Sequence, residues 1–159
     1  MPAAPGVTIR AARAEDCALI KAFILELAEY ERLAHEVVTT EEALRATLFG
    51  ERPAAEVLIA EVEGEAAAFA LFFHSYSTFL ARPGLYLEDL FVRPAHRKLG
   101  IGAAMMQRLA QVAVERGCGR FEWSVLDWNE PALEFYRRLG AEPMAEWTVQ
   151  RLTGDALAR

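Results

Sequence analysis

The chain has 159 residues, of which 53% are hydrophobic, and a formal net charge of −6. This length and composition predict one folded domain with its own core and exclude an intrinsically disordered chain. The negative charge argues against a general nucleic-acid binder, and no apolar run approaches the roughly 18 residues of a membrane span. We therefore expect neither a nucleic-acid nor a membrane partner.

The predicted elements follow from runs of apolar residues with a period of two or of 3.6. In chain order they are a strand at Val7–Ala11, a helix at 15–33, a helix opened near Thr39 and ended by Gly50, strands at 57–62, 67–76 and 85–92, a helix at 100–116, a strand at 120–126, a helix capped by Asn129 and ended by Gly140, and a strand at 146–152. Thr39 and Glu42 resemble a capping box at the start of the second helix.

The order of these elements predicts the fold class. The turn Glu63-Gly64-Glu65 joins two strands as an antiparallel hairpin, whereas the two later β-α-β units require parallel neighbours. We therefore predict an α+β (mixed α/β) fold with a mixed sheet, in a single domain over residues 1–159. The strand that precedes the long helix is expected to be central.

Two acids interrupt the apolar strand LYLEDLFV at 85–92. Glu88 and Asp89 lie in its middle, although burying an unpaired carboxylate is costly. One explanation is an edge strand whose acids point into water and block aggregation. Period two places the two acids on opposite faces of the sheet unless a bulge intervenes.

The loop HRKLGIG follows this strand and precedes the long helix. Free N–H groups at a helix N-terminus favour anions, Gly100 and Gly102 let a ligand approach the backbone, and Arg97 and Lys98 add positive charge. This combination indicates a pyrophosphate cradle. The alternative is a tight turn whose glycines only relieve strain.

Two other phosphate motifs fit the loop poorly. The P-loop pattern is absent, and the dinucleotide pattern G-x-G-x-x-G begins at Gly100 and Gly102 but has Met105 in its third position. A dinucleotide fold also places this motif on its first strand, whereas only 57 residues follow Gly102 here. We therefore disfavour a dinucleotide site.

Cysteine and histidine indicate a reduced protein without a metal site. Cys17 and Cys118 are typical of small core residues, and the three histidines have no ligand spacing. The N-terminal MPAAPGVTIR lacks the basic and apolar regions of a secretory signal. We expect a cytoplasmic location.

The loop and its flanks resemble a known family. RKLGIG at 97–102 matches the R/Q-x-x-G-x-G/A signature of the GNAT N-acetyltransferases, and the order of elements is that of their mostly antiparallel sheet flanked by helices. LYLEDLFV and DWNEPALEFY at 127–136 are similar to the diamine acetyltransferases, which include spermidine/spermine and thialysine enzymes. The resemblance covers roughly residues 7–152.

The resemblance implies acetyl-CoA as acetyl donor, a small cationic amine as acceptor, and a homodimer. The expected cofactor residues are Leu90, Phe91, Val92, Arg97, Lys98, Leu99, Gly100, Ile101, Gly102, Ala103, Asn129, Glu130, Pro131, Ala132 and Tyr136. Polyamine-acetylating members carry an acid and a tryptophan where this chain has Ser77 and Phe79, which is closer to the thialysine type. A non-catalytic acyl-CoA-binding module is the alternative function.

Acetyl transfer to an amine needs a base, a stabilised carbonyl oxygen and a proton donor for the leaving thiolate. Glu88 is the candidate base, through a water, as the resemblance implies; its alternative is a structural ion pair. Tyr136 is the candidate acid, and its alternative is a core aromatic. The amide of Leu90 or its neighbour could polarise the carbonyl. The candidate substrate residues are Tyr30, Glu31, Glu88, Asp89, Glu122, Trp123 and Ser124.

Overall fold

A computed structural model describes residues 6–159 of the chain. Within these residues, five strands form one sheet in the order β1-β2-β3-β4-β5, namely β1 Val7–Ala11, β2 Glu56–Val62, β3 Glu65–Ser77, β4 Arg82–Val92 and β5 Arg120–Trp123. Each neighbouring pair among the first four strands is antiparallel, and β5 is parallel to β4. The predicted α+β class with a mixed, mostly antiparallel sheet is confirmed. The N-terminal MPAAPGVTIR, predicted not to be a secretory signal, lies in part outside the described residues, which begin at residue 6.

The described part of the chain also contains five α-helices, namely α1 Cys17–Tyr30, α2 Glu41–Phe49, α3 Ile101–Glu115, α4 Glu130–Arg138 and α5 Gly154–Ala158. Short 3-10 turns occur at Ala14–Asp16, Ala34–Glu36 and Pro94–His96. The cap of α2 is Thr40, whose hydroxyl oxygen accepts the N–H of Ala43 at 3.0 Å, so the predicted capping box begins one residue too early. None of the described helices combines the length and the apolar character needed to cross a bilayer.

The chain divides after Ser124 into two compact units. The first unit contains the sheet and α1 to α3, and the second contains α4 and α5. In the second unit, the side-chain oxygen of Asn129 accepts the N–H of Ala132 at 3.4 Å. The predicted cap of α4 is therefore confirmed.

The main core of the first unit lies between the sheet and the pair α1 and α2. Its buried members are Cys17, Ile20, Phe23, Leu27, Leu44, Leu48, Val57, Ile59, Phe69 and Phe91. Phe23 of α1 stacks on Phe69 of β3 with ring centroids 5.0 Å apart. Helix α3 packs against β3, β4 and β5 through a separate set of buried residues, which begins at Ile101 and includes Met105 and Leu109. The sheet therefore has helices α1 and α2 in one layer and α3 in another.

Strand β4, which precedes α3, is interior but is not the central strand. It is the fourth of five, and β3 holds the centre. The crossover from β4 through α3 to β5 forms the first predicted β-α-β unit, with parallel pairing of Gly84–Leu87 to Arg120–Trp123. This unit brings the loop after β4 to the N-terminus of α3.

The predicted strand at 146–152 is wrong. No strand forms there in the structure, and Trp147, Val149 and Leu152 are exposed. Strand propensity reflects packing on a pleated surface and requires a paired neighbour, which this segment does not have within its own unit. The second predicted β-α-β unit is therefore absent, and β5 also ends at Trp123, three residues earlier than expected.

Two arginines attach α1 to the sheet. Arg10 of β1 donates two hydrogen bonds to Asp16, at 2.8 and 3.0 Å, and contacts Glu61 of β2. The bonds from Arg10 and from the Arg13 N–H lower the pKa of Asp16. Arg93, just after β4, donates to both carboxylate oxygens of Glu26 on α1, at 3.1 and 2.9 Å. These contacts fix α1 relative to the end of β4.

Candidate active site

The ladder between β4 and β5 ends before β4 does. Its last pair joins Leu87 to Trp123, whereas β4 continues to Val92 and remains paired with β3. Within the described unit that holds the sheet, β4 therefore has no strand partner on its β5 side from Glu88 onward. We call the backbone of residues 88–92 on this side the open edge. The edge-strand explanation for the acids thus applies to half of an otherwise interior strand.

A β-bulge occurs at the same point. Leu87 pairs with Phe72, and Asp89 pairs with Leu71, so Glu88 is an extra residue with no partner on β3. A bulge breaks the strict alternation of side chains and changes their direction. The sequence predicts opposite faces for Glu88 and Asp89 only in a strand without a bulge, so that prediction does not apply here.

The open edge presents backbone groups at alternate residues. The N–H of Arg93 donates to Ala67 of β3 at 2.8 Å. Because an antiparallel ladder alternates residue by residue, Phe91 also directs its backbone groups toward β3, and Leu90 and Val92 direct theirs to the open edge. The Val92 carbonyl accepts a hydrogen bond from the Arg97 side chain at 2.9 Å. The edge thus offers the N–H and C=O of Leu90 and the N–H of Val92.

Glu31, Glu88 and Asp89 form an acid cluster, which we define by these three residues. Burial, together with the charges of Glu88 and Glu31, raises the pKa of Asp89 to about 7. Burial and the charge of Glu88 also raise the pKa of Glu31. By contrast, Asp16 and Glu56 each bond an arginine and have lowered pKa values. The cluster is therefore a place where negative charge is concentrated and a cation would be stabilised.

A cavity of about 310 Å³ lies beside the acid cluster. Its lining combines apolar side chains of α1 with the segment after it, and consists of Ile24, Leu27, Ala28, Glu31, Leu33, Glu36, Val37, Val38, Thr39 and Asp89. An apolar pocket with a few acids suits an organic cation better than a metal ion. Among residues 6–159, no three His, Cys, Asp or Glu side chains are arranged to hold a metal.

The loop between β4 and α3 has the geometry of an anion site. Lys98 and Gly100 have positive φ angles of 67° and 77°, and a Cβ added at Gly100 would meet no atom within 4 Å. The first backbone bond of α3 is donated by Ala104 to Gly100, so the N–H groups before Ala104 have no partner within the helix. No acid occurs in the first turn of α3. An anion at this position would meet backbone donors and the positive end of the helix dipole.

The remaining predicted residues fall in two places. Glu122, Trp123 and Ser124 lie at the end of β5, where the Ser124 hydroxyl bonds the Tyr86 hydroxyl at 2.7 Å. Asn129, Glu130, Pro131, Ala132 and Tyr136 belong to the second unit, in and just before α4. The Tyr136 ring lies 5.4 Å from that of Phe135. Their roles toward a ligand stay predictions.

Sequence reasoning missed two polar residues of the cavity, Glu36 and Thr39. They lie on the segment between α1 and α2, where no periodic pattern marks which side chains face inward. The residue Arg32, with a φ angle of 62°, marks the point at which the chain turns away from α1. A positive φ at a non-glycine residue is not readable from sequence.

The raised pKa of Asp89 predicts a specific dependence of stability on pH. The folded state keeps a proton on Asp89 that the unfolded chain releases above about pH 4, so this carboxyl contributes less stability as the pH rises toward 7 and above. We expect Asp89→Asn to raise the free energy of unfolding by roughly 1–3 kcal/mol at about pH 8 and by much less at about pH 5. Urea denaturation at both pH values measures this.

Asp16→Asn is the matched control with the opposite sign. The pKa of Asp16 is lowered by Arg10, so its contribution to stability is present above the unfolded pKa and is lost in acid. This variant should be less stable than the wild type at about pH 8, with a smaller difference in acid. An Asp89→Asn variant that loses stability at about pH 8 would contradict the prediction.

Comparison with known proteins identifies the family. Residues 22–141 match the model of the acetyltransferase (GNAT) family. The chain is 42% identical to the thialysine N-epsilon-acetyltransferase of Mus musculus over 160 residues, covering 94% of each chain. It is 34% identical to an L-ornithine N5-acetyltransferase of Arabidopsis thaliana, covering 94% of this chain and 85% of that one.

A solved structure has a similar fold. An integron cassette protein from V. cholerae superposes with a TM-score of 0.80 at 26% identity, covering 96% of each chain. The family match covers well over half of the chain, and the mouse relative aligns along nearly all of it. The chain therefore belongs to the acetyltransferase (GNAT) family and is an N-acetyltransferase.

Proposed function

We propose that the enzyme transfers an acetyl group from acetyl-CoA to a primary amine of a small cationic acceptor, such as a diamine, a polyamine or a thialysine-like amino acid. The observation that carries this proposal is the acid cluster beside the open edge of β4. Two relatives are named for thialysine and ornithine, which are amino acids with a second amine on the side chain. A site with several acids suits an acceptor that brings more than one ammonium group.

The residues of the open edge and the following loop fit acetyl-CoA. The C=O of Leu90 and the N–H of Val92 can pair with the amides of a pantetheine chain, as a strand would. The N–H groups at the start of α3, with Gly100 in a left-handed conformation and Lys98 beside it, can hold a pyrophosphate. Acetyl-CoA would supply a thioester with an acetyl group ready for transfer. The resemblance adds Asn129–Ala132 and Tyr136 to this proposal.

The acids would bind the amine and remove its proton. An alkyl ammonium has a pKa of about 10.4 and has no lone pair until it is deprotonated. Glu31 and Asp89 attract the ammonium into the cavity, and Glu88 accepts its proton directly or through one water. Glu88 suits this task because the bulge places it at the first residue of the open edge and leaves it exposed.

Two further groups complete the proposed chemistry. The N–H of Leu90 faces the open edge and can donate to the acetyl carbonyl oxygen as negative charge develops there. The Tyr136 hydroxyl, by the resemblance, donates a proton to the leaving sulfur.

A homodimer and a cytoplasmic location also stay predictions. Sedimentation equilibrium of the purified chain measures whether it is a dimer.

A panel of amines tests the activity. Thiol release from acetyl-CoA is measured with thialysine, ornithine, lysine, short diamines, spermidine and an aminoglycoside. We expect turnover with acceptors that carry more than one cationic group, and little with a monoamine such as benzylamine, which brings a single ammonium group. Binding of acetyl-CoA, detected by a thermal shift, without turnover on any amine would contradict the proposed acceptor class.

Glu88→Gln tests the base. The substitution keeps the size of the side chain and removes its capacity to accept a proton, so kcat/KM for the amine should fall by about 100-fold or more at neutral pH. Activity should return in part as the pH rises, because more amine is then already deprotonated. Asp89→Asn, the same carboxylate-to-amide change at the neighbouring residue, is the variant with which Glu88→Gln is compared. Full activity in Glu88→Gln with a larger loss in Asp89→Asn would transfer the role of base to Asp89.

Tyr136→Phe tests the acid. Removing only the hydroxyl should lower kcat by about 10- to 100-fold, while the KM for acetyl-CoA changes less. If Tyr136 serves only as a packed aromatic, its ring is retained in the variant and kcat will equal that of the wild type. Thermal unfolding of the variant, which should be unchanged within a few degrees, separates a chemical effect from a structural one.

A further inference from the structure

Arg97 has an unusual position for a residue of an anion-binding loop. Its Nε donates to the Val92 carbonyl at 2.9 Å, toward the sheet. The guanidinium carbon lies 5.2 Å from the centroid of the Tyr30 ring and 5.5 Å from that of the Phe91 ring. A guanidinium at such distances from an aromatic face makes a favourable cation–π contact. One side chain therefore contacts two neighbouring residues at the end of β4 and the last residue of α1.

Two of these contacts belong to different halves of the proposed site, and the third is a core residue. The Val92 carbonyl lies on the open edge, where the donor would pair with β4. Tyr30 is the last residue of α1 and directly precedes Glu31 of the acid cluster. Phe91 is buried in the core between α1, α2 and the sheet. Arg97 thus connects the donor side to the acceptor side through a rigid core residue.

We propose that Arg97 is a positioning residue, which holds the end of α1 and therefore Glu31 against the open edge of β4. This inference rests on the proposed function. The guanidinium also occupies one of the hydrogen-bond acceptors of the open edge, so that a pantetheine chain pairs with the C=O of Leu90 and the N–H of Val92 alone. Binding of the donor at this edge and binding of the amine at the acid cluster then depend on the same side chain.

The competing explanation is that Arg97 acts through its charge, as a ligand of the pyrophosphate. Lysine would preserve that charge but lacks the planar fork that bonds a carbonyl while it lies over two rings. Pantetheine has no phosphate, so its binding reports on the open edge without any contribution from the anion site. The two explanations therefore differ in their response to Arg97→Lys and to removal of the phosphates.

The experiment compares Arg97→Lys, Arg97→Gln and the neighbouring Lys98→Gln with the wild type. Calorimetry measures the binding of CoA and of pantetheine, and steady-state assays measure the KM of the best amine. We expect both Arg97 variants to weaken CoA and pantetheine by a similar factor of about 3 to 10 and to raise the amine KM by about 5-fold or more. Lys98→Gln should weaken CoA and leave pantetheine and the amine KM unchanged.

A double-mutant cycle with Tyr30→Leu adds a second readout. If Arg97 positions α1 through the Tyr30 ring, the effects of the two substitutions on the amine KM will be strongly non-additive. Weakening of CoA alone by Arg97→Gln, with wild-type behaviour of Arg97→Lys, would overturn the inference in favour of a phosphate ligand. A wild type that binds CoA and acetylates no amine would instead contradict the proposed function, and the pantetheine measurement would still test Arg97.

Discussion

The site depends on the mismatch in length between β4 and β5. Over Gly84–Leu87 the backbone of β4 is bonded on both sides, and beyond Leu87 it is bonded on one side. Backbone N–H and C=O groups need partners, so an interior strand that loses one neighbour becomes a template for any chain that can pair with it. The bulge at Glu88 occurs at this same residue and directs acids to the start of the unpaired stretch. Pairing and charge are therefore supplied by five consecutive residues.

The acid cluster has an electrostatic cost that a cationic ligand would relieve. Asp89 is pushed toward protonation by burial and by two neighbouring acids, whereas other acids of the fold, such as Asp16, face an arginine and hold their charge easily. Acids that only stabilise the fold would be expected to resemble Asp16, because paired opposite charges stabilise a fold and crowded like charges do not. An unfavourable arrangement beside a cavity is typical of a functional site.

Much of the fold could be predicted from the sequence, since the antiparallel hairpin, the strand with the two acids, the helix after HRKLGIG and the Asn129 cap each depend on a local signal. The bulge could not, because an extra residue in a ladder is defined by the register of the partner strand, and Leu71 and Phe72 give no sign of it. The predicted strand at 146–152 is wrong for a related reason, because Trp147 and Val149 favour a strand but a strand forms only where another strand pairs with it. Within the site, the acids Glu31, Glu88 and Asp89 were among the seven substrate residues predicted from the sequence, and only the structure shows that these three lie together. Sequence reasoning missed Glu36 and Thr39, which reach the cavity because of the path of the segment between α1 and α2.

The charges along the chain explain why the two halves of the site need a mechanical connection. The acid cluster favours cations, and the start of α3 with Lys98 favours anions, although only the short stretch from Glu88 to Gly100 separates them in sequence. In the proposed reaction, such opposed fields would orient a donor with phosphates at one end and an acceptor with ammonium groups at the other. Electrostatic attraction alone does not fix the distance between donor and acceptor, because a Coulomb interaction has no preferred distance or direction. A directional hydrogen bond and ring contacts do set a distance, and Arg97 bonds the Val92 carbonyl of the open edge while its guanidinium lies against the rings of Phe91 in β4 and of Tyr30 at the end of α1.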